Sequence, residues 1–169
     1  MCTQVNSSFL SANVIGPILL LLFLASCGVA GQQRASNTEI RPSSELQRDI
    51  LNALNQAHQD WKGTPYILGG SGISGVDCSS FTQIVFDEYF GFTLPRNTRQ
   101  QLREGSSIRR NYIRPGDLIF FRTGRSLLHV GVAMEDGRFL HASVSSGVMI
   151  SSIDQRYWAS RYLATRRIL

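Results

Sequence analysis

Three residues carry most of the chemical potential of this chain: Cys78, His129 and His141. Cys78 lies in Gly75-Val76-Asp77-Cys78-Ser79-Ser80-Phe81, just ahead of Phe81, Ile84, Val85 and Tyr89, which recur at helical spacing. Asp77 is suited to cap that helix by accepting a backbone N–H of the first turn. Cys78 then falls in the first turn, where unpaired amides and the helix dipole favour negative charge. A thiol there is expected to ionise more easily than a free one, and the thiolate is the nucleophile. The competing reading is a small buried hydrophobe, the commonest state of a free cysteine. His129 opens one predicted strand and His141 lies on the next. An imidazole near Cys78 can take its proton, and a second polar group can fix the tautomer. The alternative is that both are ordinary half-buried strand residues.

Strand geometry sets a difficulty for that pairing. A two-residue turn at Asp136-Gly137 places His129 opposite Val144 and His141 opposite Val132, on opposite sheet faces. An odd-length loop or a bulge restores a common face. The two histidines are then expected about four residues apart along the strands, roughly 13 Å before twist.

The elements that must position these residues follow from the rest of the chain. With 169 residues, 43% of them hydrophobic, there is enough for one ordinary domain with a core. The net charge of +5 suits an anionic partner, whether nucleic acid, acidic lipid or acidic cell-wall polymer. No Lys/Arg run is dense enough to favour nucleic acid; Arg109-Arg110 and Arg166-Arg167 are only pairs.

Residues 1–27 contain no Lys, Arg, Asp or Glu, and Val14 to Ala25 is almost wholly apolar. That length fits a signal h-region and falls short of a membrane span. It ends in Leu24-Ala25-Ser26-Cys27, which resembles a bacterial lipobox. The n-region departs from the usual pattern in carrying no positive charge. Residues 1–26 are therefore expected to be a lipoprotein signal peptide, with Cys27 acylated and membrane-anchored. Gly28, where Asp would retain a lipoprotein in the inner membrane, implies an outer-membrane anchor facing the periplasm. Cys2 leaves with the signal peptide, so Cys78 is the one free thiol expected in the mature chain, in an oxidising compartment. Residues 27–43 are small and polar and read as a tether.

Residues 44–169 form the expected domain. Ser43 or Ser44 caps a helix with an apolar stripe of Leu46, Ile50, Leu54 and Trp61, with Ala53 and Ala57 filling in. His58 lies off the stripe. The glycine-rich loop Tyr66 to Gly75 lacks the Lys of a phosphate loop. Tyr66 either places its hydroxyl in the site or packs at the loop end. Asn97 or Thr98 starts a short helix. Apolar runs at Leu118–Phe121, Leu128–Met134, Arg138–Ala142, Val148–Ser152 and Tyr162–Ile168 read as antiparallel strands. Helices first and strands later give an α+β fold, helices packed on a sheet of about five to six strands.

With these motifs in place, the chain resembles the NlpC-type cell-wall cysteine peptidases from about Trp61 to Leu169. The matching stretches are Trp61-Lys62-Gly63-Thr64-Pro65-Tyr66, Gly69-Gly70, Gly75-Val76-Asp77-Cys78-Ser79 and Leu94-Pro95-Arg96. They continue with Pro115-Gly116-Asp117-Leu118, His129-Val130-Gly131, Phe139-Leu140-His141-Ala142-Ser143, Ser145-Ser146-Gly147-Val148 and Tyr157-Trp158. The resemblance implies a papain-like core and a Cys–His–His triad, with Cys78 as nucleophile, His129 as general base and His141 orienting it. It implies that Tyr66 and the Cys78 N–H form the oxyanion site and that Asp77 and Ser79 line the substrate cleft. Peptidoglycan stems or crosslinks are the implied substrate, with no metal or organic cofactor, no nucleic acid, and a monomer. Ser80 departs from the family, which usually has Gly there, and is expected to narrow the cleft or reduce activity. The alternative function is a catalytically weak, lipid-anchored wall-binding module. Acyl transfer to lipids by the same fold is a third option.

Overall fold

The computed structural model describes residues 43–169, so the signal peptide, Cys27 and nearly all of the tether expected from the sequence lie outside the described residues. The first helix, α1 (Ser43–Trp61), buries Ile50, Leu54 and Ala57, which share one face at helical spacing. Leu46, placed on that stripe by the sequence, is 44% exposed in the first turn. A two-residue hairpin, β1 (Ser71–Gly72) and β2 (Gly75–Val76), leads into α2 (Cys78–Phe90), which buries Phe81, Val85 and Phe86. Gly91, in the left-handed region at φ 66°, closes α2. The short α3 (Thr98–Gln101) is capped by Asn97, whose side chain accepts the Gln100 N–H.

The rest of the chain is β3 (Ser106–Ile108), β4 (Leu118–Arg122), β5 (Leu128–Ala133), β6 (Arg138–Ser143), β7 (Gly147–Ser152), α4 (Arg156–Ala159) and β8 (Tyr162–Arg167). These strands make one antiparallel sheet in the order β3-β8-β4-β5-β6-β7. The expected α+β architecture is observed, with β3 the strand that the apolar pattern did not announce. Leu118, Phe120, Val130, Val132, Leu140, Ala142 and Val148 pack with α1 and α2. Ile119, Phe121, Ala133 and Phe139 alternate with them and pack on the opposite face with Ile153, Trp158 and Tyr162. Burial on both faces explains why the central strands read as continuous apolar runs.

The β5–β6 connection settles the histidine register. Asp136 (φ 55°) and Gly137 (φ 64°) are both left-handed, and the Arg138 N–H reaches Glu135 O at 3.1 Å, as in a two-residue turn. The Met134 N–H also reaches Arg138 O, at 2.8 Å, so Arg138 faces two residues of the partner strand, the mark of a bulge. The strands then pair Val132 with Leu140 and Ala133 with Phe139. His129 and His141 consequently share a face. Continued at that register, the position opposite His129 is Ser143, so the histidines are diagonal neighbours two residues apart. The four-residue separation expected from the sequence is corrected to about 7 Å along the strand, within reach of long side chains.

Candidate active site

The N-terminus of α2 is fixed by Asp77. Its Oδ1 accepts the Ser80 N–H (2.8 Å), the Ser79 hydroxyl (2.9 Å) and Arg96 Nη1 (3.0 Å). Its Oδ2 accepts the Gly69 N–H (3.0 Å) and Arg96 Nη2 (2.8 Å). Burial alone would raise its pKa, but the Arg96 guanidinium, the Ser80 N–H and the Ser79 hydroxyl outweigh it and hold the carboxyl below its usual range. One ionised carboxylate thus joins the glycine loop, the helix and the Leu94-Pro95-Arg96 segment. Gly70 permits this close approach, because a Cβ there would meet Gly75 O at 2.4 Å.

The placement of Ser80 corrects one half of the expectation attached to it, the narrowed cleft. Its side chain is fully buried, accepts the Asp77 N–H at 3.2 Å and donates to Gly70 O. With Asp77 it completes a capping box. It points into the packing between helix and glycine loop, so it does not narrow a cleft.

Cys78 is buried behind this cap. Its sulfur lies 3.8 Å from Thr98 Oγ1 and near the backbone N–H groups of Val130 and Ser79. The Val130 N–H is available for a physical reason. The Ala133 N–H points to β4, reaching Asp117 O, so the alternating Val130 N–H points toward β6. The β5–β6 ladder, however, contains only the pairs at Val132 and Ala133. The sheet opens below them, and the sulfur meets the opening from the helix side. Burial raises the Cys78 thiol above its ordinary range, and the Val130, Thr98 and Ser79 groups oppose that rise without cancelling it. The easier ionisation expected from the helix N-terminus is therefore outweighed by desolvation.

The two histidines lie on the other face of the same opening. His129 Nε2 and His141 Nδ1 are 2.9 Å apart, and His141 Nε2 is 2.9 Å from Ser151 Oγ. Trp158 packs beside both rings, each centroid 5.1 Å from its own. Gly131 makes room for the pair: a Cβ there would lie 2.7 Å from Phe139 Cδ2 and 3.0 Å from His141 Cβ. Burial lowers His129 to about 4, and burial plus the neighbouring His129 lower His141 further. Both rings are neutral at neutral pH. Among the described residues, the ring nitrogen bonded to His129 is that of His141, and the sulfur's side-chain hydrogen-bond partner is Thr98. His129 directly precedes Val130, whose N–H faces the sulfur.

Tyr66 is half-buried and bridges to Val76. Burial raises its hydroxyl, and the Cys78 and Asp77 acids raise it further, which places it within their electrostatic reach. Asp77 and Ser79 line an open cleft of about 670 Å³ together with Arg96 and Thr98. A second cleft, of about 520 Å³, is walled by His129, His141, Met149, Tyr157 and Trp158. The fold therefore brings Cys78, Tyr66, Asp77 and Ser79 to one side of the opening and His129 and His141 to the other. The sequence did not single out Ser151, Thr98 was noted only as a candidate helix start, and Arg96 only within Leu-Pro-Arg. Gln101 was also missed. It is fully buried and donates to Ser79 O (2.9 Å) and Pro95 O (2.8 Å), holding α3 and Thr98 against the head of α2. A glutamine one helical turn after a candidate Asn cap was the available signal, and nothing in the sequence marks it as buried.

Comparison with known proteins places the chain in a family. The murein DD-endopeptidase MepS/murein LD-carboxypeptidase of Escherichia coli is 46% identical over 121 residues, 72% of this chain and 64% of that protein. The match thus spans slightly less than two thirds of that relative. The probable endopeptidase NlpC of Escherichia coli is 39% identical over 153 residues, 89% of this chain and 96% of its own. Among solved structures, an NlpC/P60 family protein from Bacillus cereus superposes with a TM-score of 0.62 at 30% identity, over 72% of this chain and 39% of that one. The NlpC/p60 domain of the peptidoglycan hydrolase SagA superposes at 0.59 with 27% identity, over 69% of this chain and 97% of that domain. Residues 63–167, from the turn after α1 to the end of β8, match the NlpC/P60 family, and this chain belongs to it.

Proposed function

We propose that this protein is a thiol endopeptidase that hydrolyses the peptide stems or crosslinks of peptidoglycan. The observation that carries the reading is the buried chain His129–His141–Ser151, set against a sheet opening that a helix-head thiol enters from the other side. In this reading Cys78 is the nucleophile, His129 the general base and His141 the residue that orients it.

The hydrogen-bond directions follow from that role. To accept the thiol proton, His129 Nδ1 must be bare, so its proton sits on Nε2 and is donated to His141 Nδ1. His141 then carries its own proton on Nε2 and donates it to Ser151 Oγ. Because burial keeps the thiol protonated and the imidazole neutral, proton transfer accompanies attack. Sγ bonds to the scissile carbonyl carbon as its proton passes to His129 Nδ1, giving a tetrahedral oxyanion. In this reading the Cys78 N–H and the Tyr66 hydroxyl stabilise that oxygen. The imidazolium returns the proton to the leaving amine, leaving a thioester. Water, deprotonated by His129, hydrolyses the thioester and restores the thiol. Asp77 and Ser79 line the cleft through which the peptide reaches the sulfur.

The N-terminal segment completes the reading: export, acylation of Cys27 and a tether hold a monomeric domain at the outer membrane, facing the wall. The wall-binding alternative drew its case partly from Ser80, which is turned away from the cleft. Incubation with purified muropeptides tests the proposal. New amine termini are expected with wild type and none with Cys78→Ala; unchanged muropeptides with wild type, or equal cleavage by both, would overturn it.

A further inference from the structure

Arginine is the main source of this chain's positive charge, and the fold gathers four of its arginines around one pocket. Arg99, Arg103, Arg122 and Arg125 line a cavity of about 280 Å³ between α3 and the β4–β5 connection, floored by Leu102 and Leu163. No acidic side chain lines it. The ion pairs found among the described residues engage Arg96, Arg110, Arg138 and Arg167, none of these four. Four guanidinium groups facing one space without a carboxylate repel one another, and an anion relieves that repulsion. Arg99 is already held in place, donating to Ser126 O at 2.9 Å. Guanidinium groups arranged this way match the planar oxygens of a carboxylate.

The pocket adjoins the cleft at the head of α2. Arg99, Ser126 and Leu128 line both it and the cleft that holds Asp77, Ser79 and Thr98. Leu128 directly precedes His129, and Thr98, which touches the Cys78 sulfur, directly precedes Arg99.

We propose that this arginine pocket is an anionic-peptide subsite that receives a free carboxylate of the substrate, one end of the peptide lying in the cleft beside Cys78 while its acid group sits among the guanidinium groups. The proposal rests on the thiol-hydrolase reading for its substrate class. The apolar floor suits the aliphatic part of an acidic side chain. The cleft shared with Ser79 and Thr98 favours this ligand over an anionic membrane surface, which would have no need to reach the thiol.

Binding and cleavage are measured with a stem-type peptide carrying free carboxylates and with the same peptide amidated. Calorimetry on the full-length Cys78→Ala protein reads binding without turnover. The free acid is expected to bind at least about tenfold more tightly than the amide, a preference that weakens with added salt. Arg103→Gln/Arg125→Gln, two exposed positions, is expected to remove most of that preference, and Arg103→Lys/Arg125→Lys to retain more of it. Thermal melts check that each variant is folded. Equal binding of the two peptides, or a preference unchanged in the Gln variant, overturns the subsite. So does loss of binding to phosphatidylglycerol vesicles in the Gln variant with peptide preference intact, which would assign the pocket to a lipid surface. If wild type cleaves neither peptide while the binding preference follows the arginines, the subsite stands and the hydrolase reading fails.

Discussion

Lowering the pH should destabilise this fold earlier than its carboxylates alone would. His129 is buried and neutral, held at about 4 where an exposed histidine titrates near 6.5. The folded protein therefore binds fewer protons than the unfolded chain between those values. Stability that is complete above about pH 6.5 is lost as the pH falls toward the folded value. From these two constants, His129 alone accounts for a loss of about 2 kcal/mol at pH 5 and about 3 kcal/mol at pH 4. His141, lowered by burial and by its neighbour, adds to the loss in the same direction. Asp77, held below the usual carboxylate range, contributes its own loss only at lower pH. Urea unfolding from pH 8 to 4, followed by tryptophan fluorescence, measures the effect, since Trp158 packs on both rings. The midpoint is expected to be level above pH 7 and to fall steadily below it, while NMR shows the two imidazoles unprotonated in the folded state at pH 6. A midpoint that stays level down to pH 5 would refute the claim that the pair is buried in its neutral form.

Three other perturbations probe the same arrangement. Gly131→Ala forces a Cβ to within 2.8 Å of Leu140 O as well as against Phe139 and His141; chemical denaturation should show a loss of about 1–3 kcal/mol. Muropeptide cleavage should fall further than that destabilisation explains, because the His141 ring is displaced. Ser151→Ala leaves the buried His141 Nε2 without its hydrogen-bond partner, at a cost of about 1–3 kcal/mol. It should lower kcat and shift the acid limb of the pH profile with KM unchanged, and Ser151→Thr should recover part of the rate. Ser80→Gly removes the hydroxyl that joins the Asp77 N–H to Gly70 O. A thermal melt should show a lower Tm, and cleavage assays should show no gain in rate, since no cleft is opened.

The element order was legible because each signal is local. Asp77 capping α2, the apolar stripe of α1 and a short helix starting at Asn97 or Thr98 are read from neighbours in sequence; the structure caps α2 with Asp77 and α3 with Asn97, and of the stripe it buries Ile50, Leu54 and Ala57 while Leu46 is exposed. The relation between His129 and His141 was not legible at the same level. The Asp-Gly pair gave the turn correctly, but one extra residue at Glu135 shifted the register, and a single shift decides which face every side chain occupies. Nothing marks Ser151 among the serines of its strand until β6 and β7 pair and bring it under His141. The thiol's electrostatics failed for a related reason. The helix N-terminus is a local feature, whereas the burial that outweighs it depends on the core that closes around Cys78 once the whole domain has folded. Ser80 was misread because composition gives no direction; its hydroxyl turns inward to the backbone of Gly70.

Selective alkylation tests the central claim most directly, because it modifies the Cys78 sulfur and leaves every residue of the histidine side unchanged. Wild-type protein is treated with iodoacetamide at a pH high enough to ionise the buried thiol, modification of Cys78 is quantified by peptide mass mapping, and residual cleavage of muropeptides is measured on the same sample. The account predicts that activity falls in proportion to the fraction of Cys78 modified and vanishes at full modification. Undiminished cleavage by fully modified protein would contradict it.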